Sequence, residues 1–209
     1  MKTQRIRVAM LVSASLLFLS IPIRAAGPGT AGYGYLVQNE APCAVWWAEG
    51  AYKVMKDDPV PTAAGATVKI AAARNEYEPF LVVIRPERAL NSVRVAASPL
   101  LNLKGGTIAA ANFSVCHVEY VKVTTPTDGF GKAGWWPDPL PPYSGPFTAA
   151  AGENHPLWIT VRVPKDAPPG LYEGGITLRA DGWACFVPVE LRVWNFTLLD
   201  KSSVRSSFG

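Results

Sequence analysis

The stretch LYEGGITLRADGWACFVPVELRV, Leu171 to Val193, leaves a chain few choices. Two runs of apolar, β-branched and aromatic residues flank Asp181-Gly182, a strong short-range signal for a β-hairpin. The dipeptide suits the positive φ angles that a type I′ turn requires, which fixes two antiparallel strands in register. Pro188 within the second run predicts an edge position or a bulge, because proline cannot donate to a ladder.

The rest of the chain reads in the same way. Ala44–Ala48 is a first apolar run, and Lys56–Gly65 is a polar, Pro-containing connection. Thr67–Arg85 reads as two strands meeting at Arg74–Asn75. Within the second, Phe80–Ile84 is continuously apolar, as expected of a strand covered on both faces. Ser92–Ser98 alternates with period two, Phe113–Val123 is β-branched and aromatic, and Pro156–Pro164 is a strand ended by proline before the Lys165–Gly170 turn. No stretch has the spacing of an amphipathic helix. About seven or eight short strands separated by turns predict an all-β fold, an antiparallel β-sandwich over residues 44–197.

The N-terminus has a different character. Lys2, Arg5 and Arg7 precede an apolar run from Val8 to Ile23, then Ala25 and Ala26. That is the layout of a secretory signal peptide over 1–26, followed by a Gly-rich flexible leader over 27–43, and it predicts a secreted or periplasmic protein. Beyond that peptide nothing calls for a membrane. The segment carries four of the 20 Lys+Arg and none of the 16 Asp+Glu, so the mature chain balances 16 against 16. The apparent basicity belongs to the targeting signal, and no basic cluster is left for nucleic acid.

Residue types for catalysis are sparse. The cysteines are Cys43, Cys116 and Cys185; export would allow a Cys116–Cys185 pair, and buried free thiols are the alternative. Their spacing fits no zinc site, and with His117 and His155 as the two histidines no metal or cofactor is expected. No G-x-S-x-G elbow is present. The carboxylates Glu76 and Glu78, Asp57 and Asp58, and Asp128, Asp138 and Glu153 read as solvated or turn-capping groups, and no catalytic pair is expected.

The segment Pro126–Pro146 is the least ordinary. Gly129-x-Gly131-x-x-Gly134 has the spacing of a nucleotide-binding fingerprint, which works only where a helix opens behind the glycines. Four prolines between Pro137 and Pro142 forbid that helix. The segment holds six prolines, four glycines, Trp135, Trp136 and Tyr143. Rigid backbone presenting aromatics suits a packed contact. Trp135, Trp136, Asp138 and Tyr143 are the candidate contact residues, toward another domain, toward a sugar ring, or toward the domain's own core.

Several strings together carry a family resemblance: AARNEYEPFLVVIRP (Ala72–Pro86), VEYVKVTTPTDGFGKAGWWPDPLPP (Val118–Pro142), NHPLWITVRVPKDAPPGLYEGGITLRADG (Asn154–Gly182) and VPVELRVWNFTLLDKSSVRSSFG (Val187–Gly209). They resemble the N-terminal β-sandwich of glycoside hydrolase family 123, large secreted bacterial proteins. The resemblance implies an accessory domain followed by a catalytic TIM-type barrel. It also implies a β-N-acetylgalactosaminidase that uses an adjacent Asp-Glu pair on the barrel with help from the substrate's acetamido group. This sequence has no Asp-Glu dipeptide, so no catalytic residue carries over. Residues 198–209 are then expected to be a linker and the start of a missing barrel, the chain a fragment, and Trp135–Trp136 a contact with that barrel. The alternative expectation is an autonomous carbohydrate-binding module that stacks sugars on the loop tryptophans.

Overall fold

The computed structural model describes residues 32–129 and 131–201. The expected signal peptide, 1–26, lies outside the described residues, as does 202–209. The described chain opens with β1 (Tyr35–Glu40), β2 (Cys43–Glu49), β3 (Val68–Arg74), β4 (Tyr77–Pro86) and β5 (Leu90–Ala97). Short strands β6 (Leu100–Asn102) and β7 (Thr107–Ile108) lead through a 3-10 turn to β8 (Phe113–His117) and β9 (Tyr120–Val123). Then come β10 (Gly134–Pro137), β11 (Phe147–Ala149), β12 (His155–Arg162), β13 (Gly170–Ala180) and β14 (Trp183–Thr197). The fold is all-β, as expected, with more and shorter strands than the turn signals separate.

Two sheets face each other. The first has the order β1-β2-β4-β12-β8, and the second β11-β5-β13-β14-β3 with β6 and β7 appended at β13. The pairs are antiparallel except β14 with β3, which run parallel. That exception arises at the predicted junction Arg74–Asn75. Asn75 takes φ 65°, a left-handed conformation that asparagine tolerates, and its N–H donates to Val163 O. The corner carries the chain out of the second sheet and into the first, so β3 and β4 are consecutive without pairing. The leader expected over 27–43 needs correction: β1 lies inside it, paired to β2 and held by Tyr33 and Tyr35 hydroxyls that donate to the Glu49 carboxylate.

The hairpin forms as read, Gly170↔Val193 through Ala180↔Trp183. Its turn differs from expectation: among Asp181 and Gly182, Gly182 alone has positive φ, at 71°, so it is not type I′. Pro188 has a local explanation. Opposite it, Gly175 donates to Ser98 Oγ and accepts from Ser98 N, turning both backbone groups away from β14. Pro188 therefore occupies a non-hydrogen-bonded position, one residue before β3 begins to pair at Val189, where a missing N–H breaks no ladder bond.

Alternation along β4 divides its side chains between two cores. Phe80, Val82 and Ile84 enter the space between the sheets, meeting Leu157 and Ile159 of β12 and Tyr172, Ile176 and Leu191 of the second sheet. Leu81 and Val83 leave the opposite face and join Ala44, Trp46, Ala48, Val54 and Val118 in a second cluster. The uninterrupted apolar run is thus covered on both sides, as read from sequence. The three thiols are free. Cys116 sits on β8 in one sheet and Cys185 on β14 in the other, so the conceivable Cys116–Cys185 pair does not form. Burial pushes the Cys43 thiol up to about 12 and that of Cys185 to about 11, which leaves both as inert packing groups.

Both cores should register in stability. Phe80→Ala is expected to cost about 3–5 kcal/mol and Leu81→Ala about 2–4 kcal/mol in urea unfolding, with a single transition in each. A Leu81→Ala loss near zero would mean the outer cluster adds nothing.

Candidate functional site

The outer face of the first sheet is roofed by two segments. One is residues 50–60, bringing Tyr52, Val54 and Val60; the other begins at Val118. The stitching between them is polar. Asn154, fully buried, donates from Nδ2 to Met55 O and Asp58 O and accepts at Oδ1 from Arg85 Nη1. Its own N–H donates to Lys56 O, Arg85 Nη1 also reaches Asp58 O, and Tyr120 Oη donates to Val54 O. A buried amide so fully satisfied fixes the 55–58 turn against the start of β12.

The Pro-rich segment is ordered by the same surface. Gly134, last glycine of the fingerprint spacing, opens strand β10 against β9 instead of a helix, which removes the nucleotide reading. Beyond it the prolines run beside β8. Pro141 O and Pro139 O accept from His117 N and Glu119 N, while Tyr143 N donates to Val115 O. Prolines accept but cannot donate, so a tract of them can pair with the edge of β8 and offer little to a further strand.

The candidate residues fall in different places. Tyr143 bridges the two sheets: its N–H bonds β8 while its hydroxyl accepts from Val95 N of β5. That is a structural role. Trp136 is half-buried and donates from Nε1 to Lys132 O. Asp138 is exposed, anchored through its N–H to Glu119 O, and borders a cleft of about 270 Å³ with Leu81, Val118 and Trp158. Trp135 stays 44% exposed, with Lys56 Nζ 5.0 Å and Lys122 Nζ 5.9 Å from its ring centre. It borders two grooves, of about 310 and 450 Å³, and Lys56 and Glu153 line both. Lys56 is also paired to Glu153 at 3.0 Å. Lys56, Glu153 and His117 had no signal tying them to Trp135 in the sequence, because the tertiary fold alone brings them together.

Three of the other carboxylates cap turns. Asp58 Oδ2 accepts from Met55 N, Glu76 Oε2 from Ala73 N, and Asp128 Oδ1 from Gly131 N, which makes these carboxylates turn caps. Burial pushes Asp58 and Glu78 up from the usual carboxylate range. Among the described residues no group of three or more His, Cys, Asp or Glu could hold a metal ion.

This architecture defines a β-sandwich domain with a roofed outer face. The Glycoside hydrolase 123 N-terminal domain family matches residues 47–180, and the chain belongs to that family. Among solved structures, a family 123 glycoside hydrolase from Clostridium perfringens is similar over 75% of this chain, at 18% identity and a TM-score of 0.60. This chain spans 28% of that protein's length. The sporulation control protein Spo0M from Bacillus subtilis overlaps 74% of this chain and 50% of its own, at 13% identity, but its TM-score of 0.38 bears on nothing further. Among curated proteins none matches.

Two outcomes are expected from this geometry. Asn154→Ala should destabilise the chain by about 2–4 kcal/mol in urea unfolding, because two carbonyls and the Arg85 guanidinium lose their buried partner. A loss below about 0.5 kcal/mol would mean the roof does not depend on this side chain. The second concerns pH. Burial holds the pKa of His155 and His117 below the ordinary value. The unfolded chain therefore takes up their protons first, so their contribution is complete above about pH 6.5 and is lost as pH falls through the lowered values. Melting temperature should be level from pH 8 to 7 and decline below about pH 6.5, while the raised Asp58 and Glu78 act in the opposite sense at lower pH. A level profile down to pH 5 would contradict it.

Proposed function

We propose that this chain is the accessory N-terminal sandwich of a secreted glycoside hydrolase of the β-N-acetylgalactosaminidase type, and that catalysis resides in a barrel joined after Gly209. The family match over residues 47–180, with a relative of which this chain spans 28%, is the observation that carries the reading. The absence of an Asp-Glu dipeptide in the sequence supports placing the chemistry elsewhere.

The end of the described chain supports a fixed hand-over. Leu198 N donates to Arg74 O, and Asn75 Nδ2 donates to Leu198 O. The Asp200 carboxylate accepts from Lys165 Nζ at 2.6 Å and from Asn75 Nδ2 at 3.2 Å. These bonds, led by the one from Lys165, hold the Asp200 pKa below the usual range. Around this exit Trp194, Phe196, Leu198, Leu199 and Tyr77 are exposed, Leu199 by 74%. A ledge of that size on a secreted domain suits contact with the domain that follows, and it makes the exit, in place of the Trp135–Trp136 segment, the proposed barrel contact.

The test is hydrolysis of an aryl N-acetyl-β-galactosaminide. The 209-residue chain should be inactive, and the product of the reading frame continued past Gly209 active. Turnover by the 209-residue chain alone, or a stop codon directly after Gly209, would overturn the reading.

A further inference from the structure

Trp135 and the chain exit stand at opposite ends of the first sheet. β12 begins at His155, which lines a groove beside Trp135, and ends at Arg162, whose guanidinium lies 5.8 Å from the Tyr77 ring at the exit. Seven residue steps of strand separate them, roughly 23 Å. A domain docked on the exit ledge leaves the Trp135 end to be explained.

The chemistry there is specific. An exposed indole rises from a ribbon backed by the outer core, with its ring beside two ammonium groups. Lys56 and Glu153 are paired at its side, and Lys122 and Glu119 add one charge of each sign. Asp57, Asp58 and Lys132 along the second groove add charges of both signs, so the surface offers hydrogen-bond donors and acceptors without a positive excess, which gives a phosphate or a nucleic acid no advantage. A second observation is independent of the tryptophan: the Lys56–Glu153 pair lines both grooves beside it, of about 310 and 450 Å³.

We propose that the Trp135 ridge is a glycan-binding subsite, in which a pyranose ring of a neutral oligosaccharide stacks on the indole while its hydroxyls bond Lys56 and Glu153. A sugar has the required form: a C–H face for the aromatic ring and hydroxyls that both donate and accept. The proposal concerns binding by this chain and goes beyond the accessory-domain reading. Either can fail without the other.

The experiment is calorimetry and saturation-transfer NMR on the purified 209-residue chain. The probes are four neutral oligosaccharides: chitotetraose, cellotetraose, galactotetraose and a β-linked N-acetylgalactosamine disaccharide. At least one should bind with Kd in the range of about 0.1–5 mM. Trp135→Ala should weaken it roughly tenfold or more while the melting temperature moves by no more than about 2 °C. Glu153→Gln should weaken it severalfold without touching the ring, and Trp194→Ala, at the exit, should leave it unchanged. Failure of all four probes to bind at about 10 mM overturns the proposal, as does binding that survives both Trp135→Ala and Glu153→Gln.

Discussion

Leu81 and Val83 leave the first sheet on the side away from its partner sheet, and Trp46 leaves β2 on that same side. A sheet face carrying these three would be strongly unfavourable in water, since burying each is worth roughly 1.5–3 kcal/mol. The segments 50–60 and 118–143 exist in their observed form because they cover it. Their backbone groups then need partners, which Asn154, Arg85, the Tyr120 hydroxyl and the edge of β8 supply. The roof is therefore a second core with its own polar scaffold. The grooves beside Trp135 follow from that scaffold, because Lys56 lies in the turn Asn154 holds and Trp135 on the ribbon that follows Val118.

The two ends of the molecule call for different partners. At the exit, apolar side chains cluster around Leu198 and Leu199, where Asp200 is held by Asn75 and Lys165. At the opposite end a single indole stands among paired charges. Apolar ledges suit permanent contact with protein, whereas an exposed indole beside a charge pair suits a small polar ligand with one apolar face.

Much of the sandwich was legible because its signals are local. Phe80–Ile84 announced its double coverage through five apolar residues in succession, and the Asp181-Gly182 hairpin through composition on either side of a two-residue turn. The Arg74–Asn75 junction was visible as a break, although the sequence did not disclose that its two strands join different sheets. β1 was missed because Tyr35-Leu36-Val37 is short and follows a glycine-rich run. The pairing of Pro139–Tyr143 with β8 was missed for a sharper reason. Proline content argues against a strand wherever N–H groups must donate, yet this edge uses carbonyls from Pro139 and Pro141. Tyr143 read as a candidate contact residue, and only its bonds to Val115 and Val95 reveal a brace between sheets. Trp135 was legible as a candidate; its neighbours Lys56, Glu153 and His117 were not, because they come from turns and strands far apart in the chain.

The central claim is that the roof is a rigid part of the fold, so that Trp135 stands on a fixed platform. Native-state hydrogen exchange measures this directly at the amides of His117, Glu119, Tyr143 and Asn154, each of which donates within the roof or to the edge it covers. These amides are expected to exchange only through global opening, with the same free energy and the same denaturant dependence as the amides of β12 and β13. Exchange through a small, denaturant-independent opening would contradict this and show the roof to be a loose loop lying on a finished sandwich.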